Sequence, residues 1–248
     1  MCGQKVSPPR LTLREIGHEL LHALVHIDRS VLSLIRMLLV QPGFVALDYV
    51  SGKRKRYFGP FAFLVVVVAL TAGAIEISGF QTVVPETPDN AVVRLTRTFL
   101  EHHINLLFFA QVPVLAAVCR VISYRAAFNY AEWLVLASYT SGMHMLFYVF
   151  VVIPVWYAFS LDTESTRHLF YATLPVWYLY FSFATSQFLQ RRRVVSAFKG
   201  LLAIVLSQVT TMVAVSLVFG LIARRRLKSW GMTNCPFVPT TAISGSSN

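Results

Sequence analysis

The chain has 248 residues, of which 56% are hydrophobic and 13% are charged, and its formal net charge is +11. A soluble domain needs more charge to cover its surface, so this composition, with a mean hydropathy of +0.60, argues against a soluble globular protein. The basic excess does not indicate nucleic-acid binding, because most basic residues lie immediately beside apolar runs. The cysteines are few and odd in number, 3 in all, so no disulfide framework is predicted.

The first predicted element is an amphipathic helix, which begins at a capping box formed by Thr12 and Glu15. At about 100° per residue its apolar side chains fall on one side, and its histidines fall with other polar residues on the opposite side. Pro42 and Gly43 end it, because proline lacks an amide donor, and a short connector is expected between them and the basic residues that start at Lys53. Such a helix lies on a membrane surface better than it spans one. Residues 1–59 are therefore predicted to be a cytoplasmic-side interfacial helix with a basic juxtamembrane segment.

Apolar runs of about 20 residues follow, the length that a helix needs to cross the hydrocarbon. They predict an all-α fold, a multi-pass transmembrane helical bundle at 60–223, and a basic, then disordered tail at 224–248. Basic flanks that alternate along the chain predict that the N-terminus lies on the cytoplasmic side. Five crossings would place the basic cluster at 224–226 outside the cytoplasm, and it is the only flank that contradicts this alternation. The predicted spans are 60–80, 104–122, 133–157, 169–189 and 200–223.

The one enzyme-like motif lies on the predicted amphipathic helix, where His18, Glu19 and His22 fit the pattern H-E-x-x-H. Two imidazoles one helical turn apart can bind zinc, and the glutamate can polarise a water molecule. The polar face of an amphipathic helix produces the same spacing without a metal. A third ligand is also missing, and the segment before the first span is short for a protease cleft. We therefore expect no cofactor and no enzymatic activity, with a zinc site at His18 and His22 as the alternative.

Two basic clusters flank predicted spans on the cytoplasmic side. Four consecutive basic residues can attract anionic lipid headgroups at about 1 kcal/mol each, although the same residues also set topology. The predicted partners are the bilayer, its anionic lipids and a second copy of the chain in a homo-oligomer, and no nucleic acid. The first basic cluster is Lys53, Arg54, Lys55 and Arg56, and the second is Arg191, Arg192 and Arg193.

Polar residues within the apolar runs are costly in hydrocarbon and therefore informative. They could line a transport or proton pathway, or they could join helices through hydrogen bonds. The sequence alone leaves both interpretations open. The residues are Glu76, Glu132, His144, Gln187 and Gln208.

Several short motifs resemble the bacterial domain-of-unknown-function family 3667. They are Cys2-Gly3-Gln4, the histidine-bearing helix that starts at His18, Gln41-Pro42-Gly43, and the run at 48–57. The resemblance implies a multi-pass protein of the bacterial inner membrane, often with a zinc ribbon that ends in Cys-Gly-Gln. This chain begins at what resembles the last ribbon ligand, so the ribbon is expected to be truncated. The family often has a histidine after the glutamate that corresponds to Glu132, where this chain has tryptophan.

The resemblance transfers no activity, so function is predicted from the residues. The strongest features concern placement in a membrane, which favours a non-enzymatic membrane scaffold or lipid-contacting accessory protein. A transporter or channel for a small solute or ion is the alternative, based on the polar residues in the spans. A metal-dependent membrane hydrolase built on the motif at 18–22 is the third hypothesis.

Overall fold

The computed structural model of the protein describes residues 30–80, 109–190 and 192–229, and every regular element within these ranges is a helix. The fold is an all-α helical membrane bundle, as the sequence predicts. A 3₁₀ turn at Arg54–Arg56 and a π-helical turn at Tyr148–Val152 interrupt the α-helices. The α-helices are α1 (Ser30–Val40), α2 (Pro42–Val50), α3 (Pro60–Ser78), α4 (Phe109–Ile122), α5 (Tyr130–Phe147), α6 (Ile153–Phe159), α7 (Thr163–Leu189) and α8 (Arg193–Ser229).

Within the described residues, three helical segments are long and apolar enough to cross a membrane, namely Arg54–Ser78, Tyr130–Phe159 and Arg193–Val218. They coincide with three of the five predicted spans. The predicted span 169–189 does form a helix, α7, but its many tyrosine, serine and threonine residues leave it less apolar than these three. The predicted span 104–122 is described only from residue 109, as the shorter apolar helix α4. Five crossings therefore stay a prediction.

The segment after Val40 differs from the prediction. A connector was expected after Pro42 and Gly43, but these residues begin α2, which is bent by 119° from α1. Proline suits the first position of a helix, where its missing amide has no intrahelical partner to lose. The pair α1 and α2 has the composition of a broken span or a re-entrant loop. The sequence therefore predicted the break correctly, and the prediction of a connector was wrong.

Burial explains why α2 forms. Val45, Ala46 and Tyr49 of α2 enter the main core, together with Leu34 and Leu38 of α1. Burial of these apolar side chains stabilises a short helix that would be marginal alone. The described part of the predicted interfacial helix thus packs against the bundle, and the part before residue 30 lies outside the described residues.

Helix α5 is the centre of the bundle, since every residue from 131 to 146 is buried. Its neighbours include α2, α3 and α7. Glycine residues allow α5 to approach α3 closely, and α8 to approach α7. A Cβ atom at Gly142 of α5 would lie 2.6 Å from the ring of Phe63 on α3, and one at Gly200 of α8 would lie 2.7 Å from Cβ of Thr185 on α7. Such small-residue contacts are typical of helix packing within membranes.

Helix α8 exposes a long apolar surface. Water would make such a surface costly, whereas lipid tails match it chemically. Only a narrow strip of α8, including Ala203, Ile204 and Ser207, is buried against the bundle. This distribution fits a peripheral helix that contacts hydrocarbon. The exposed side chains include Val194, Phe198, Leu202, Val205, Leu206, Val209, Met212, Val213, Leu217 and Val218.

Candidate functional site

The first basic cluster is held by a tight turn at the end of α2. The backbone N–H of Gly52 donates to the carbonyl of Tyr49 at 3.2 Å, and that of Lys53 donates to the carbonyl of Asp48 at 3.0 Å. These are the two hydrogen bonds of a Schellman motif, which needs a residue with positive φ after the helix. Gly52 has φ of 101°, a conformation that glycine adopts without strain. The turn fixes the direction in which the cluster leaves α2.

Hydrogen bonds of one carboxylate order the cluster further. Asp48 accepts from Nζ of Lys53 at 2.8 Å and from the hydroxyl of Tyr57 at 3.0 Å. The guanidinium of Arg56 lies 5.6 Å from the centre of the Tyr57 ring, within range of a cation–π contact. The side chains of Lys55 and Arg56 are exposed, whereas the charge of Lys53 is balanced by Asp48. Lys55 and Arg56 are therefore the cations of this cluster best placed for an external anion.

Both basic clusters lie toward the start of the helical segment Tyr130–Phe159. Phe58, two residues after the first cluster, accepts a hydrogen bond through its carbonyl from the hydroxyl of Tyr139 at 2.7 Å. Phe188, just before the second cluster, packs on Trp133 with ring centres 5.2 Å apart. Trp133 and Tyr139 are less than about two turns apart along α5. Of the second cluster, Arg191 lies outside the described residues, and the other two arginines are exposed.

Side chains of α7 hold the break between α1 and α2. In a continuous helix the carbonyl of Leu38 would accept from residue 42, but Pro42 has no N–H to give. The hydroxyl of Tyr180 donates to this carbonyl at 2.8 Å. Gln187, one of the predicted intramembrane polar residues, accepts from the N–H of Gly43 at 2.9 Å. Its Nε2 also donates to the carbonyl of residue 40 at 3.4 Å, so two backbone groups left by the break are satisfied.

Gly43 allows the backbones of α2 and α7 to meet. A Cβ atom at this position would lie 2.1 Å from the carbonyl oxygen of Ala184 and 2.5 Å from Cβ of Gln187. No relaxation of a side chain could remove the first of these clashes, because it involves backbone. The sequence pattern predicts that Pro42 and Gly43 end a helix. In the structure Gly43 also permits the close packing of α2 on α7, a role that only the tertiary contact reveals.

Glu132 has a local structural role. Its carboxylate accepts from the N–H of Asn129 at 2.6 Å, and its own N–H donates to the side-chain oxygen of Asn129 at 2.9 Å. The two residues thus form a capping box at the start of α5. A reciprocal pair of this kind accounts for a buried carboxylate without a metal or a transported proton.

Gln208 of α8 pairs with a residue that sequence reasoning missed. The side chain of Gln111 on α4 donates to the amide oxygen of Gln208, which joins the two helices. Gln111 lies inside the predicted span 104–122, so its polarity at membrane depth was a usable signal. The pair fits the interpretation of intramembrane amides as interhelical hydrogen-bond partners.

His144 is buried in α5, and its imidazole is stacked on the indole of Trp177 with 4.3 Å between ring centres and 6° between planes. Tyr148 meets the same imidazole edge-on at 5.2 Å, and its hydroxyl is 3.0 Å from that of Thr173. This aromatic cluster adjoins the π-helical turn. The remaining predicted polar residue, Glu76, is exposed near the end of α3.

The predicted polar residues are thus distributed over separate places instead of one site. Within residues 30–80, 109–190 and 192–229, no group of three or more His, Cys, Asp or Glu side chains could hold a metal ion. The predicted zinc and catalytic residues His18, Glu19 and His22 lie outside the described residues, so they stay predictions.

A model of the family described as protein of unknown function (DUF3667) matches residues 28–72. This match confirms, over that segment, the family resemblance noted from the sequence motifs. No curated protein and no solved structure matches the chain. The matched segment contains α1, α2, the first basic cluster and most of α3.

The contact at Gly43 gives a direct test of the α2–α7 packing. Gly43→Ala should lower the free energy of unfolding of the detergent-purified protein by about 1–3 kcal/mol or more, as overpacking does. Gly73→Ala is the matched control, because a Cβ atom there meets nothing within 4 Å. That control should be neutral or more stable by up to about 1 kcal/mol. The stability of both variants is measured by unfolding, with the folded fraction read by size-exclusion chromatography. A Gly43→Ala protein as stable as wild type would contradict the contact.

The Gln111–Gln208 pair is tested by a double-mutant cycle. Gln111→Leu or Gln208→Leu alone leaves a buried amide without its partner, whereas the double substitution removes both polar groups. We expect a coupling free energy of about 0.6–1.7 kcal/mol, the range measured for interhelical hydrogen bonds in a membrane. Reversible unfolding in mixed micelles gives the four free energies. Strictly additive effects would mean that the two amides do not interact.

Proposed function

We propose that this chain, which carries the DUF3667 segment at residues 28–72, is a non-enzymatic protein of the bacterial inner membrane that holds anionic lipids at one end of its helical bundle. In this proposal the N-terminus is cytoplasmic, and the two basic clusters face the headgroups of the cytoplasmic leaflet. The bundle serves as a scaffold, and the lipids are its ligands.

The observation that carries the proposal is the exposed pair Lys55 and Arg56 beside buried aromatic residues. Tyr57 and Phe58 follow the two cations and anchor the start of α3 in the core. Cations followed by aromatic rings and then hydrocarbon match the successive layers of a membrane interface. Each cation near an anionic surface contributes about 1 kcal/mol of attraction. The second basic cluster adds charge toward the start of the segment Tyr130–Phe159.

The intramembrane polar residues also favour a scaffold over a transporter. Gln187 satisfies the backbone at the α1–α2 break, Gln208 joins α8 to α4, and Glu132 caps α5. Each of these three side chains has a structural partner close by. A transport pathway needs polar groups that face a shared cavity, and these three lie apart.

One observation favours the transporter as a second candidate. His144 adjoins the π-helical turn Tyr148–Val152, and such turns within α-helices occur frequently at functional sites. A buried imidazole beside two hydroxyl groups could pass a proton or hold a small polar solute. This alternative makes His144 essential for function, whereas the scaffold makes it a packing residue.

Lipid binding is measured by native mass spectrometry of the delipidated full chain with phosphatidylglycerol or phosphatidylcholine. The wild-type protein should prefer the anionic lipid. Lys55→Gln combined with Arg56→Gln should reduce that preference by about 25-fold, since the two cations together contribute about 2 kcal/mol. Arg167→Gln, at the opposite end of the bundle, is a single-cation control and should change the preference little. Equal binding of both lipids by wild type would refute the proposal.

His144 distinguishes the scaffold from the transporter. His144→Phe keeps an aromatic ring against Trp177, so a packing role predicts near-normal stability, whereas His144→Ala should cost about 2–5 kcal/mol as large-to-small core substitutions do. Both variants are compared with wild type in thermal unfolding and in proteoliposome flux of protons and small solutes. A wild-type flux that His144→Phe abolishes in a stable protein would establish the transporter instead.

A further inference from the structure

A cleft of about 440 Å³ opens between α2, the end of α7 and the start of α8. Its volume falls in the range of small-molecule sites, about 300–1,000 Å³. It lies at the end of α7 that precedes the second basic cluster. The side chains that line it are Phe44, Phe183, Ser186, Gln187, Gln190 and Arg193.

The lining has two chemically different parts. Phe44 and Phe183 are 39% and 48% exposed, so two aromatic rings offer apolar surface to an occupant. Arg193 contributes a guanidinium, which binds phosphate through paired hydrogen bonds. Gln190 adds an amide at the turn between α7 and α8, where its φ of 49° ends α7. The cleft is therefore apolar along its aromatic residues and cationic at Arg193.

The remaining polar groups of the cleft are already used within the protein. Gln187 binds the backbone of the α1–α2 break, and the hydroxyl of Ser186 donates to the carbonyl of Phe183 at 2.7 Å. A neutral polar ligand such as a sugar would therefore find few donors here. An occupant with one anionic group and one apolar arm matches the lining better.

We propose that this cleft binds one anionic phospholipid, with its phosphate at Arg193 and the upper part of an acyl chain along Phe44 and Phe183. The inference rests on the proposed function and deepens it, because it separates one specific lipid from those attracted by surface charge. A bound lipid also contacts Gln187, so it should stabilise the α1–α2 break. Binding to the folded protein alone raises its apparent stability.

The test uses native mass spectrometry of the delipidated full chain with phosphatidylglycerol, and reads the fraction that retains one lipid at a collision energy that strips phosphatidylcholine. Arg193→Gln should lower this fraction about fivefold or more, and Arg193→Lys should restore part of it. Arg125→Gln is the matched control, because this exposed arginine lies outside both basic clusters and does not line the cleft. It should change the fraction less than about twofold.

The apolar part is tested in the same measurement. Phe183→Ala should also lower retention, whereas Phe150→Ala, at a residue that is 66% exposed and away from the cleft, should not. Thermal unfolding without lipid checks that all variants fold. With lipid, the melting temperature of wild type should rise, and that of Arg193→Gln should not.

Two results would overturn the cleft while leaving the proposed function intact. Equal losses for Arg125→Gln and Arg193→Gln, with no effect of Phe183→Ala, would mean that surface charge alone holds the lipid. Displacement of the retained lipid by inorganic phosphate would mean that the site recognises the phosphate group and not the phospholipid. By contrast, no retained phosphatidylglycerol on wild type, together with no preference that depends on Lys55 and Arg56, would overturn both.

Discussion

The contact between Gly43 of α2 and the backbone of α7 is the constraint on which the arrangement of the N-terminal helices depends. The chain must bend sharply after α1, and a bend within a membrane bundle leaves backbone groups without partners. Tyr180 and Gln187 of α7 satisfy them, but only if α2 lies close enough for the hydrogen bonds to form. Glycine permits that distance. The core position of Tyr49 and the placement of the first basic cluster both follow from the bend.

The need to pair the backbone groups at the α1–α2 break helps to explain the composition of α7. This helix is less apolar than the three helical segments that are long and apolar enough to span a membrane. Three of its polar side chains bind backbone on neighbouring helices: Tyr180 and Gln187 at the α1–α2 break, and Ser182, which donates to the carbonyl of Ala197 on α8 at 2.6 Å. A helix surrounded by α2, α5 and α8 exposes less surface to lipid than a peripheral helix such as α8. It can therefore carry polar residues that lipid would not tolerate.

Sequence reasoning predicted the features that depend on local composition. The length of the apolar runs predicted the helical membrane class and three of the segments that meet the criteria for a span, and Pro42 predicted the break after α1. It failed where tertiary contacts decide. Helix α2 has only nine residues, so its sequence resembles a connector. What stabilises it is the burial of Tyr49 against Tyr139 of α5, a tertiary contact that the local sequence does not reveal. Gln187 and Gln208 were recognised as costly, but their partners could be found only in the structure.

The interactions within the matched segment at residues 28–72 mainly fix its conformation. Within residues 28–72, Gly43 permits the helix contact, Gly52 permits the turn, and Asp48 orders the cluster through Lys53 and Tyr57. These interactions use the polar groups of Asp48, Lys53 and Tyr57 and leave Lys55 and Arg56 exposed. Only one residue of the cleft, Phe44, belongs to the segment, and the other five come from the end of α7 and the start of α8. A specific ligand would therefore depend on residues 183–193, and the matched segment would fix only where that ligand meets the membrane interface.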